Sequence, residues 1–194
     1  MDSIVAILVG IGLAASCGFR VFVPLLVASA AANAGYLPLA NGFDWLGTKA
    51  ALLAFAVAAL IEVLAYTIPW LDNLLDTIAS PIAVVAGMLL FAASVTGIDP
   101  FLKWTLAVIA GGGSAAIVQG GTVVARAAST TATGGAANIV LSIVESVFGV
   151  FFPIISIAVP ILAVTLLAVL IAAMYYVGRR VFRRLAKSPG RPAG

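Results

Sequence analysis

Residues 139–177 read IVLSIVESVFGVFFPIISIAVPILAVTLLAVLIAAMYYV, with Glu145 as the one charged side chain. A helix needs about 20 mostly apolar residues to cross a hydrocarbon core of roughly 30 Å, so this stretch is long enough for two crossings. Pro153 and Pro160 are the expected turn or kink sites inside it. Two apolar spans joined by almost nothing polar describe a chain solvated by lipid.

The rest of the sequence reads the same way. Of 194 residues, 63% are hydrophobic and 9% charged, and the mean hydropathy is +1.23. Soluble domains carry about 25% charged residues, so this chain cannot build a hydrated surface. Six spans are expected, at about 4–32, 48–68, 79–97, 101–126, 137–153 and 156–178. The fold class is all-α, a polytopic transmembrane helix bundle. As one helix, residues 4–32 would be about 43 Å long, more than the core needs, so they tilt strongly or break between Gly18 and Pro24.

Gly10, Ala14 and Gly18 in the first span have the same spacing as Gly112, Ala116 and Gly120 in the fourth, and Glu62 precedes Pro69 much as Glu145 precedes Pro153. With three spans per half, this predicts an inverted repeat, residues 1–98 and 99–180, with a second broken helix near Gly111 to Gly121. For those glycines, tight helix packing is the alternative. Residues 181–194 are expected to be a disordered basic tail.

Histidine is absent and Cys17 is the single cysteine. This removes Ser-His-Asp and Cys-His nucleophile systems, His-ligated haem, intrachain disulfides and nearly every zinc site. No enzyme activity and no cofactor are expected. The sequence pI is about 9.4, yet Arg179, Arg180, Arg183, Arg184, Lys187 and Arg191 crowd after the last span. Such residues mark a cytoplasmic end, so the charge reads as topology and not as nucleic-acid binding. An even span count then puts both termini in the cytoplasm. Tyr36, Trp45 and Trp104 fall in external loops, and Tyr66, Trp70, Tyr175 and Tyr176 at internal ends, where interfacial aromatics belong.

An ionisable side chain at the centre of a membrane costs about 2.5–3.5 kcal/mol on insertion scales, so each needs a reason. Asp2, Asp44, Asp76 and Asp99 lie at span starts and read as helix caps. Asp72 and Asp76 are a thin carboxylate pair for a cation, and capping or hydration explains them better. Ser129, Thr130, Thr131 and Thr133, followed by Gly134 and Gly135, read as a loop and a cap for the fifth span.

Glu62 and Glu145 lie deep in their spans. Glu62 shares a helical face with Ala51, Ala54, Ala58 and Ala65, and Glu145 shares one with Asn138, Ser142 and Gly149. Small and polar stripes face neighbouring helices, so both glutamates should point inward. Arg20 and Arg126 are the embedded cations available to them, and Arg20 is expected to contact Glu62 or Glu145.

Three motifs resemble a bacterial family of small integral membrane proteins, the domain of unknown function numbered four-one-two-six. They are Gly18 to Leu26 (GFRVFVPLL), Glu62 through the segment IPWLD to Asp76, and Asn138 to Glu145. The resemblance spans roughly residues 5–175 and implies that Arg20, Glu62, Asp72, Asp76, Asn138 and Glu145 occupy motif positions. Here Leu64 to Thr67 replace a more charged stretch, and Ser146 stands where an acid often follows, which weakens a multi-carboxylate cation site. The family supplies no activity.

Two functions remain open. One is a small transporter or channel in the bacterial inner membrane, with Arg20, Glu62, Glu145, Asn138, Ser142 and Arg126 forming the substrate or proton pathway. Its substrate would be anionic or lipid-like, with or without proton coupling. The other is a non-transporting accessory or lipid-binding subunit whose charge cluster is structural. Membrane lipids, a second copy of the chain and a larger membrane complex are the partners considered.

Overall fold

The computed structural model describes the backbone of residues 2–66 and 68–186, and their side chains apart from those of 69–76, 177, 178 and 180–186. The elements in order are α1 (Ser3–Ser16), α2 (Phe22–Asn33), a 3-10 turn (Asp44–Gly47), α3 (Lys49–Ala65), α4 (Pro69–Ser94) and α5 (Pro100–Leu106). A π-helical stretch (Ala107–Gly112), α6 (Gly113–Thr133), α7 (Asn138–Ala158) and α8 (Pro160–Ala186) complete the chain. No strand occurs among the described residues. Thr77–Ser94, Pro100–Thr133 and Asn138–Ala158 are each long and apolar enough to cross a membrane. The outer faces fit that solvent: Leu53, Ile61, Ile109, Phe151 and Ile161 are all more than half exposed.

The first apolar zone breaks as anticipated, but the break reverses the chain. Positions 10 and 12 of α1 lie against Phe91 of α4 and Ser156 of α7, while Phe19, just past the end of α1, stacks on Phe148 of α7. Descending α1 therefore descends α7. Helix α2 runs the other way, with Val23 beside Gly149 and Leu26 to Ala34 beside Ile154 to Ala158. The two helices form a hairpin whose ends share one face of the bundle, here the upper face. At about 21 Å and 18 Å they are short. Residues 4–32, expected to form one span, thus form a hairpin of two short helices.

Local chemistry explains the turn. Gly18 rests on α6, where a Cβ would come within 2.6 Å of the Ala115 carbonyl and 2.8 Å of the Gln119 nitrogen. Only glycine allows that approach. Pro24 occupies the first turn of α2, where a helix has no use for its N–H.

The remaining helices alternate in direction. Helix α3 descends beside α2, and α4 climbs. The α5–α6 stretch descends against α4, with Gln119 donating to Ser80. Helix α7 climbs and α8 descends. The stretches carrying Gly10-Ala14-Gly18 and Gly112-Ala116-Gly120 consequently run in the same sense, and the hairpin is the reason the expected inversion does not hold for them. Pro69 opens α4 whereas Pro153 lies inside α7, so the Glu-to-Pro correspondence does not hold either. The chain turns at Val159 and Pro160 instead.

Near Gly111 to Gly121 the helix is continuous, widened to a π-helix at its upper part, and not broken. Gly111 and Gly112 serve packing, since a Cβ on either would come within 2.8 Å of Phe91 or Met88 of α4, whereas Gly113 and Gly120 face open space. Ser129 to Thr133 finish α6 and are not a loop. Gly134, in the left-handed conformation at φ 65°, ends the helix. Helix α8 continues to Ala186, past the expected start of the tail, and residues 187–194 lie outside the described residues.

Asp99 caps α5 through the Phe101 and Leu102 nitrogens, and Thr48 caps α3 through Ala51. Asp2 occupies the α1 cap position without a side-chain cap bond, and Asp44 opens the 3-10 turn. Trp45, Trp104 and Tyr36 gather at the upper end, with Phe43 against Trp104. Tyr175 and Tyr176 sit exposed at the lower end of α8.

Candidate functional site at the hairpin tip

The hairpin places Arg20 at its lower tip, within the bundle. Arg20 is 2% exposed. Its Nη2 donates to the Ser142 carbonyl at 2.9 Å and the Ser142 hydroxyl at 2.6 Å, and its Nε donates to Ser146 at 3.2 Å. The same Nη2 lies 3.8 Å from Glu145. A Cβ on Gly149 would stand 3.2 Å from the Arg20 Cβ and Cγ, so glycine lets α7 close on the arginine stem.

Glu145 has its main partner elsewhere. Arg126 of α6 clasps it through two bonds, Nε to Oε1 at 3.1 Å and Nη2 to Oε2. This is the fork geometry that makes arginine a strong carboxylate partner. Asn138, seven residues before Glu145, donates to Thr130 and ties α7 to α6 below the pair. The stripe of Asn138, Ser142, Glu145 and Gly149 is buried throughout, as its spacing indicated.

Glu62 does something different. Its carboxylate accepts from the Val21 nitrogen at 2.7 Å and the Phe22 nitrogen at 3.0 Å. It caps α2 from a neighbouring helix, satisfying N–H groups that would otherwise be orphaned in an apolar interior. The alanines expected to share its inward face are only partly inward. Ala58 and Ala65 line a cleft beside α4, Ala54 is exposed, and Ala59 is the buried residue of α3.

One member of the site was missed. Tyr66, expected at an interface, is 7% exposed, and its ring lies 4.0 Å from the Arg20 guanidinium carbon and 4.5 Å from that of Arg126. Its position four residues after Glu62 was the available signal. Ser146 was noted only as a departure from a motif.

The structure thus brings Arg20, Glu62, Glu145, Arg126 and Ser142 to one place, with Asn138 at its edge. The Asp72 and Asp76 side chains lie outside the described residues, and no group of three or more potential metal ligands occurs among the described ones. Two clefts reach the cluster from the outer surface. One, about 430 Å³, lies between α3 and α7 and ends on Ser142, Ser146 and Tyr66. The other, about 260 Å³, lies among α2, α3 and α4 and ends on Glu62 and Tyr66.

A bundle of apolar helices enclosing arginines and glutamates at a hairpin tip defines the class, a helical protein suited to a membrane. More particularly, the chain belongs to the family described as Domain of unknown function (DUF4126), whose model matches residues 7–180. No curated protein and no solved structure matches it.

Proposed function

We propose that the protein is a small membrane transporter or channel whose polar site is the hairpin-tip cluster, held closed in this conformation. The observation that carries the reading is a two-helix hairpin ending on buried charges between two clefts. Irregular backbone at membrane depth is tolerated where protein or a cavity encloses it, and interrupted helices at that depth commonly frame transport sites. The substrate class is anionic and lipid-like, because the clefts are apolar up to a floor that holds guanidinium groups.

In a bacterial cytoplasmic membrane, the basic lower end of α8 would face inward. Five crossings follow, namely α3, α4, the α5–α6 stretch, α7 and α8, with the amino terminus on the outer side. Flux across proteoliposomes that responds to pH and disappears in Glu62→Gln supports transport; flux unchanged in that variant removes Glu62 from the pathway.

A structural role is the second reading, and one observation favours it. Arg126 and Glu145 pair, Arg20 bonds α7, and Glu62 bonds the main chain, all within the cluster. An accessory subunit of this kind would show no flux of its own and would co-purify with a larger membrane complex.

A further inference from the structure

Tyr66 occupies a place that the proposed function leaves unused. Its ring lies over both guanidiniums and also lines both clefts. It follows the last residue of α3 directly, as the cap of that helix. Of the two arginines beneath it, Arg126 bonds Glu145 twice, and Arg20 bonds Ser142 and Ser146 at the cleft floor with Glu145 at 3.8 Å.

We infer that Tyr66 is a lid over the arginine pair, and that what displaces it is an amphipathic anion: a phosphate or carboxylate on an alkyl chain, arriving through the cleft between α3 and α7. The guanidinium fork suits the headgroup, and the apolar walls of the cleft suit the chain. The ring makes cation–π contacts to both guanidiniums, and the incoming anion must replace them. This rests on the proposed reading of the cluster as a binding site, but not on transport.

The test uses the full chain in a neutral dodecyl maltoside micelle, which already supplies an uncharged alkyl chain. Dodecyl phosphate is titrated and the unfolding temperature followed, since a ligand specific for the folded state raises it. The expected result is a rise with dodecyl phosphate and none with inorganic phosphate. In Tyr66→Leu the rise should begin at about tenfold lower concentration, because no cation–π contact is lost on binding. Tyr66→Trp, a stronger cation–π partner, should shift it to higher concentration and covers a Leu variant that fails to fold. An equal response to inorganic phosphate overturns the amphipathic ligand. A Leu or Trp variant titrating like the parent overturns the lid, and no response in any form overturns both. Glu62-dependent flux without dodecyl phosphate binding overturns the lid while transport stands; Tyr66-controlled binding without flux supports the lid while transport fails.

Discussion

At Glu62, two main-chain N–H groups share one carboxylate, and an amide cannot replace it, because its NH₂ would face a donor. Glu62→Gln should therefore loosen the start of α2 by about 1–2 kcal/mol. Faster hydrogen exchange at Val21 and Phe22, with the middle of α7 unchanged, is the expected reading. The Arg126–Glu145 pair behaves differently. Arg126→Met leaves a carboxylate buried with its bidentate partner gone, and should cost about 3–5 kcal/mol. The double variant Arg126→Met with Glu145→Met removes the stranded charge and should unfold later than the single variant in a detergent melt. A double variant no better than the single would mean that Arg20 already compensates Glu145.

Among elements, contacts decide which glycines matter. Gly87 faces Ala115 and the Gly111 backbone at 2.7 and 3.0 Å, while Gly120 faces open space. Gly87→Ala should cost about 1–3 kcal/mol by forcing α4 from the α5–α6 stretch. Gly120→Ala should be neutral or stabilise by up to about 1 kcal/mol, through the entropy of the unfolded chain. Unfolding midpoints of the two variants, measured side by side, check the contrast. The same scale shows what the sequence could and could not reveal. The polar stripe of α7 was legible because burial there follows a local spacing of three and four residues. So was the break near Gly18. Its reversal was not, because hydropathy has no sign along the chain, and a span and a hairpin arm score alike. The π-helical widening was hidden for a similar reason, since its glycines answer to α4, a helix distant in sequence. Tyr66 was misassigned because an aromatic at a helix end is ordinarily an interface residue, and here the guanidiniums supply the other half of its environment.

For the molecule as a whole, the proposed five crossings make the topology odd in number. Reporter fusions that are active on only one side of the membrane should place the amino and carboxyl termini on opposite sides. A carboxyl-terminal fusion active inside and an amino-terminal one active outside is the expected pattern; both active inside would restore a continuous first crossing. Composition alone pointed to a helical membrane bundle, but the directions of α1 and α2 depend on contacts with α4 and α7 that no window over the first third contains.

Arg20 bonds residues 122 and 126 positions further along the chain. During synthesis, then, the hairpin is made long before α7 exists to receive its guanidinium. Until that helix is made, the arginine lacks its α7 carbonyl and hydroxyl acceptors. The cluster therefore closes only when the carboxyl-terminal half is present, and a chain truncated before α7 should be proteolysed more readily than the full chain.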